Sequence, residues 1–95
     1  MVIDKNYDIT TEELTVTEQI TVKEKQLILY NDDVNTFDFV IDTLINVCNH
    51  ELEQAVQCTY LIHYTGKCAV KAGSYEKLNP LCSALADRGL GAVIE

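Results

Sequence analysis

The sequence predicts a single small α/β domain of the α+β type, with a three-stranded antiparallel sheet packed against helices in the order β-α-α-β-α-β. The chain has 95 residues, which is the size of one domain. Short apolar runs with strand character alternate with longer segments whose apolar residues recur at helical spacing. The hydrophobic fraction of 47% is typical of a chain that buries a core.

The N-terminal segment, residues 1–24, differs in composition from the rest of the chain. It contains six acidic residues and five Thr, without Gly or Pro, and its apolar residues alternate only partly with polar ones. This pattern is typical of an extended tail or of an extra edge strand. We expect a flexible extension whose last residues join the sheet, followed by the folded domain over residues 25–95.

The first strand and the first helix follow this extension. The short apolar run Gln26–Tyr30 predicts a buried strand, and it ends at the turn-forming cluster Asn31–Asp33. Apolar residues over positions 37–48 recur every three or four residues, which predicts a helix. We expect Asn35 to cap this helix, with Asp38 near the positive end of its dipole.

A second helix is predicted from about Glu51 to Tyr64, with Gly66 as its stop signal. The run Lys67–Ala72 then predicts a second strand.

The last part of the domain is predicted to contain a third helix and a short final strand. Ser74 is a suitable cap for the helix. Pro80 lies several residues inside it, where a proline should kink the helix or make it restart. Gly89–Gly91 ends the helix, and Ala92–Ile94 forms the third strand.

The charge and hydropathy of the chain narrow the classes of partner. The net charge of −8 argues against nucleic acid, because phosphate binding needs clustered Lys and Arg. The sequence lacks an apolar run near the roughly 20 residues that a membrane span requires. Its first residues also lack the basic and apolar regions of a signal peptide. We therefore expect a cytoplasmic protein that does not bind membranes.

The cysteines are predicted to be structural. None forms a C-x-x-C pair, and no His lies at zinc-finger spacing from them. Each lies among apolar residues, so we expect reduced thiols packed as small core side chains, with neither a metal ion nor a cofactor. The four positions are Cys48, Cys58, Cys68 and Cys82.

One group of polar residues suggests a binding site. If the two predicted helices form a hairpin on the sheet, Asn31 and Asp32 at the end of the first strand can meet His63 near the end of the second helix. Carbonyl, carboxylate and neutral imidazole acceptors together suit an ammonium group, which has three donors and a positive charge. The apolar residues expected to line a hole beside them are Phe37, Val40 and Ile62.

Other interpretations of these residues stay open on the pattern alone. An Asn-Asp-Asp cluster after a strand is most often turn and cap chemistry, and a His on a partly apolar helix face is most often a packing residue. A metal site formed by Asp32, Asp33 and His63 lacks a supporting spacing. We expect His50 to lie at the surface. Neither Ser74 nor Ser83 lies in a nucleophile-elbow sequence, so we do not expect an enzyme.

Three stretches with the same order and separation carry a resemblance to the ClpS adaptor family, the bacterial N-end-rule recognition proteins. These stretches are Leu29–Asp33, Phe39–Asp42 and Ile62–Lys67. The resemblance covers about residues 25–95.

The resemblance implies a function and a set of site residues. It implies that Asn31, Asp32 and His63 hold the free α-amino group of a cargo protein. It also implies an apolar pocket for a bulky first side chain, typically Leu, Phe, Tyr or Trp. The cargo would then pass to a Clp-type AAA+ unfoldase, ClpA-like or ClpC-like, which the N-terminal extension would engage. A monomer is the expected state. The pocket positions are Asp33, Asn35, Phe37, Val40, Thr59, Ile62 and Leu90.

This chain departs from the family pattern at several positions. It has Asn35-Thr36-Phe37 where the family usually has Thr-Pro-Met, and Thr59 where the family commonly has Met. A shorter Thr predicts a wider pocket that accepts β-branched first residues such as Ile. Pro80 and a shorter C-terminal segment are further differences.

The alternative to an adaptor is an interaction domain of the ribosomal-stalk C-terminal type. That type predicts a basic helix face, and this chain has too few cations to form one.

Overall fold

A computed structural model of the chain describes residues 23–95. Their elements follow the predicted order β-α-α-β-α-β. The predicted extension, residues 1–24, lies outside the described residues except for its last two. The elements are β1 (Lys25–Tyr30), α1 (Phe37–Cys48), α2 (Leu52–Thr65), β2 (Lys67–Gly73), α3 (Tyr75–Asp87) and β3 (Gly91–Ile94).

The sheet is antiparallel, and β1 lies between β2 and β3. Tyr30, the last residue of β1, pairs with Lys67 of β2 on one side and with Gly91 of β3 on the other. Just beyond this pair, the Asn31 N–H donates to the Gly66 carbonyl at 2.9 Å. Because Gly66 also closes α2, this register brings the loop after β1 beside the last turn of α2.

The core lies between one face of the sheet and the three helices. Leu27 and Leu29 of β1 point to this side and are fully buried. The helices contribute apolar side chains at the spacing that the sequence predicts. The buried helical residues of the core are Val40, Leu44, Cys48, Ala55, Cys58, Ile62, Leu78 and Leu85.

The helix ends agree with the predictions at two positions and differ at one. Ser74 caps α3 by accepting from the Lys77 N–H, and Gly66 ends α2 in the left-handed conformation. The prediction that Asn35 caps α1 is wrong, because the cap is Thr36, whose hydroxyl accepts from the Phe39 N–H at 3.1 Å. Asn35 lies one residue before the cap, and its side-chain amide donates to Asp32 and to the Gly89 carbonyl.

The proline in α3 does not interrupt the helix. The helix continues from Tyr75 to Asp87 with Pro80 inside it, so the predicted restart is wrong. Pro80 lacks the N–H that would bond to the Glu76 carbonyl. Both residues are exposed, so water can satisfy that carbonyl and the loss is tolerated.

The prediction that His50 lies at the surface is also wrong. Asn49 takes a left-handed conformation at the end of α1 and turns the chain inward. The His50 side chain is only 4% exposed, and its Nε2 lies 2.7 Å from the Val70 carbonyl oxygen. This contact ties the end of α1 to β2.

The cysteines are free thiols, as the sequence predicts. Cys48 and Cys58 are buried, whereas Cys68 and Cys82 are half-buried. Burial and a hydrogen bond with Cys68 raise the pKa of the Cys58 thiol to about 12, so it stays protonated and packs as a core side chain.

Among residues 23–95, no helix has the length and apolar character of a membrane span.

Replacing Gly66 by Ala should destabilise the domain through the backbone alone. Gly66 has φ of +99°, and a Cβ there would meet nothing within 4 Å. A left-handed conformation costs a non-glycine residue about 1–2 kcal/mol, so we expect the free energy of unfolding in urea to fall by about that amount. Gly91→Ala is the control, because ordinary backbone at that position should make Ala neutral or stabilising. Equal stabilities of the two variants would contradict this account.

Candidate functional site

The carboxylate of Asp32 organises the loop between β1 and α1. Its Oδ1 accepts from the backbone N–H groups of Val34 and Asn35, both at 2.8 Å. Its Oδ2 accepts from the Asn35 side-chain amide at 2.9 Å. Asp side chains often accept from the backbone two or three residues on, and such bonds form a tight turn. This turn fixes the direction of the carboxylate relative to the sheet.

These hydrogen bonds keep Asp32 ionised. Partial burial raises its pKa, but the bonds from the backbone and side chain of Asn35 and from the backbone of Val34 together hold the pKa below its ordinary value. An ionised carboxylate has about four lone-pair positions. Three of them are occupied by the loop's own N–H groups, so Asp32 retains capacity for a further donor.

Asn35 joins this loop to the segment between α3 and β3. Besides its bond to Asp32, its side-chain amide donates to the Gly89 carbonyl at 3.2 Å. The two segments are 54 residues apart in the chain. Asn35 therefore fixes the position of the loop through a tertiary contact.

His63 lies in the last turn of α2, opposite this loop. Its ring is exposed to solvent and packs edge-on against Phe37 at 5.0 Å and against Tyr64 at 4.7 Å between centroids. Tyr60 completes the group, because it contacts Phe37 at 5.2 Å and stacks on Tyr64 at 5.9 Å. We call these four side chains the aromatic cluster. Within this cluster, the Phe37 and Tyr64 rings hold the His63 imidazole between them.

The loop between β1 and α1, together with α1 and α2, borders an open pocket of about 280 Å³. This is just below the roughly 300–1,000 Å³ of pockets for drug-sized ligands, so it suits a smaller group. Its lining combines polar and apolar side chains. The pocket is lined by Asn31, Asp32, Asp33, Asn35, Thr36, Phe37, Val40, Thr59, Ile62 and His63.

Thr59 contributes an apolar surface despite its hydroxyl. The hydroxyl donates to the Ala55 carbonyl at 2.7 Å, one turn earlier in α2. The residue is only 3% exposed, and its polar atom is already satisfied. The wall at this position is therefore short and has no free hydrogen-bond donor.

Leu90 is the one predicted site residue that the structure places outside this pocket. It lines a separate cavity of about 20 Å³, which also touches Asn31, Asp32 and Val40. Gly89 has φ of +84°, which turns the chain so that Leu90 enters the core and its N–H bonds to the Leu85 carbonyl. Leu90 therefore packs behind the pocket wall.

Sequence reasoning missed three features of this site. It did not foresee Thr36 in the lining, the Gly89 carbonyl as a partner of Asn35, or the contacts of Tyr60 and Tyr64 with the pocket residues. The two tyrosines do carry a signal, because residues four apart on a helix are neighbours and His63 lies beside Tyr64. The Gly89 contact depends on tertiary structure and leaves no local signal.

The pocket can bind a cation with several donors beside an apolar group. The ionised Asp32 supplies negative charge, while the Asn31 and His63 side chains, which line the same pocket, offer acceptors. A metal ion would need a tighter group of ligands. Within residues 23–95, no three His, Cys, Asp or Glu side chains are grouped so that they could hold one.

The sequence resembles proteins of one family over most of its length. A profile of the family described as "ATP-dependent Clp protease adaptor protein ClpS" matches residues 21–92. The "ATP-dependent Clp protease adapter protein ClpS" of Campylobacter jejuni (strain 81-176) is 43% identical over 56 residues. That alignment covers 59% of this chain and 58% of the relative, so the chain spans little more than half of the relative's length.

Two other similarities are to a ubiquitin ligase and to a solved structure. A segment of 54 residues is 35% identical to part of the E3 ubiquitin-protein ligase UBR1 of Drosophila melanogaster, covering 57% of this chain and 3% of the ligase. The solved structure of Agrobacterium tumefaciens ClpS2 bound to L-phenylalaninamide superposes with a TM-score of 0.73 at 20% identity. It covers 77% of this chain and 95% of that protein, which shows a shared fold. Because the family profile matches about three quarters of this chain, the chain belongs to the ClpS family of ATP-dependent Clp protease adaptor proteins.

Proposed function

We propose that this protein binds the free N-terminal amino group and the bulky hydrophobic first side chain of cargo proteins, and delivers them to a Clp-type AAA+ unfoldase and its peptidase. The observation that carries the proposal is the geometry of Asp32. Its carboxylate is ionised, has spare acceptor capacity, and lines a pocket that apolar side chains also line.

The charged end of the pocket would hold the ammonium group. An α-amino group with a pKa of roughly 7.7–8.0 is mostly protonated at neutral pH and has three N–H donors. Asn31, Asp32 and His63 all line the pocket and offer an amide oxygen, a carboxylate and an imidazole nitrogen. This set matches the ammonium in both charge and number of bonds. A blocked amine would have neither its charge nor its full set of donors.

The apolar wall would take the first side chain. Phe37, Val40 and Ile62 line it beside the methyl group of Thr59. Burying a Leu or Phe side chain is worth about 1.5–3 kcal/mol, and hydrogen bonds to a charged group about 1.5–3 kcal/mol each. Because Asp32 is partly exposed, solvent screening favours the lower end of that range. A micromolar complex needs a binding free energy of about 8 kcal/mol. Burial of the side chain and hydrogen bonds to the ammonium group are both needed to approach it.

The comparisons support this proposal in two ways. The family is named for its role as an adaptor of the ATP-dependent Clp protease, which favours delivery of cargo over the ribosomal-stalk alternative. The structural neighbour binds L-phenylalaninamide, a small molecule with a free amino group and a bulky apolar side chain. On this proposal the protein is a cytoplasmic, non-enzymatic monomer, and residues 1–24 contact the unfoldase.

Blocking the cargo amine should abolish useful binding. Peptides that begin with Leu or Phe, labelled at the C-terminus, are compared with their N-acetylated twins by fluorescence anisotropy. Acetylation removes the charge that Asp32 would pair with, so we expect at least a tenfold loss of affinity, or about 1.4 kcal/mol. Comparable affinity for the acetylated peptides would rule out recognition of the amino group.

The short Thr59 side chain should widen the choice of first residue. We expect a peptide that begins with Ile to bind within about tenfold of its Leu counterpart, because Thr59 leaves room for a β-branched carbon. Thr59→Met should fill that space and weaken the Ile peptide more than the Leu peptide. Thr65→Met is the matched control, since Thr65 makes a similar bond to the carbonyl one turn earlier but does not line the pocket. Refusal of Ile by the unmodified protein would contradict the prediction.

A further inference from the structure

An apolar groove on α2 lies outside the pocket described above. It has a volume of about 510 Å³ and is lined by Leu52, Glu53, Val56, Gln57 and Tyr60, which we call the α2 groove. Residues four apart on a helix lie on one face, so Leu52, Val56 and Tyr60 form a continuous stripe. Leu52 is 62% exposed and Tyr60 is 48% exposed. Exposed apolar patches rimmed by polar residues commonly mark interaction sites.

The α2 groove is continuous with the candidate pocket. Tyr60 lines the groove and also contacts the Phe37 ring at 5.2 Å, and Phe37 lines the pocket. Tyr64, which is 72% exposed, stacks on Tyr60 and packs against His63. The aromatic cluster is thus a shared border. A chain that leaves the pocket over Phe37 meets Tyr60 next, and Tyr60 lines the groove.

We propose that the α2 groove binds the cargo residues that follow the first one, and that it selects apolar side chains there. The inference rests on the proposed function of the pocket, because the pocket would fix where the cargo chain begins. With the first residue held, contacts in the groove become intramolecular and add to affinity at a high effective concentration. Glu53 and Gln57 on the groove's lining supply its polar rim.

The dimensions fit a short peptide segment. Leu52 and Tyr60 are eight positions apart on α2, which corresponds to about 12 Å at 1.5 Å per residue. An extended peptide advances at most about 3.3–3.6 Å per residue, so about four residues span the groove. Since the groove begins next to Phe37, these are about the second to fifth residues of the cargo.

The test uses two peptides with the same free N-terminal Leu and a C-terminal fluorophore. One continues with four alternating Val and Leu residues and the other with four Ser residues. We expect the apolar peptide to bind the unmodified protein about tenfold more tightly, which corresponds to about 1.4 kcal/mol. The double variant Leu52→Ser/Val56→Ser should lose this preference and keep its affinity for the Ser peptide.

Leu61→Ser is the matched control, since Leu61 is 45% exposed on the same helix but does not line the groove. It should preserve the preference. Equal affinity of both peptides for the unmodified protein would overturn the inference and leave the pocket proposal standing. Failure of both peptides to bind would overturn both proposals. A dimer that forms with rising concentration and is lost in the double variant, without any peptide preference, would assign the groove to a second copy and overturn the inference.

Discussion

The site depends on one carboxylate that has two tasks. Asp32 accepts hydrogen bonds from Val34 and Asn35, and these bonds fold the loop between β1 and α1. The same bonds lower the pKa of Asp32 against the effect of its partial burial, so the folded loop carries a fixed negative charge. A carboxylate that was free of the loop would have more acceptor capacity but no defined direction. The local fold and the electrostatics of the pocket therefore have a common cause.

The rest of the structure positions the partners of this carboxylate. The bond from the Asn31 N–H to the Gly66 carbonyl joins the end of β1 to the end of α2, and His63 lies one turn before that point. Asn35 connects the loop to the Gly89 carbonyl and so to the segment before β3. The aromatic contacts of Phe37 and Tyr64 then hold the imidazole. A site assembled from three chain segments in this way exists only when the whole domain is folded.

The sequence predicts the element order well because hydrophobic periodicity and the signals at Gly66 and Ser74 are local. It also predicts most of the pocket lining, through the resemblance carried by the Asn31–Asp33 and Ile62–Lys67 stretches. The errors have tertiary causes. By residue type, Asn35 could be either a helix cap or a loop residue. Its side chain bonds to the Gly89 carbonyl, 54 positions away, and this contact cannot be read from the local sequence. The sequence also does not reveal that His50 is buried, because its acceptor, the Val70 carbonyl, is on another element.

The most direct test of the account is a thermodynamic cycle that combines Asp32→Asn with acetylation of one Leu-initiated peptide. Asn keeps the shape of the side chain, and its one oxygen can still accept from the backbone N–H groups of Val34 and Asn35, but it removes the charge and gives up the bond from the Asn35 side chain. If Asp32 binds the ammonium group, the substitution weakens the free peptide by about tenfold or more and changes the affinity of the acetylated peptide little, so that the two changes are not additive. An equal loss for both peptides would contradict the account, because Asp32 would then act only through the loop that it folds.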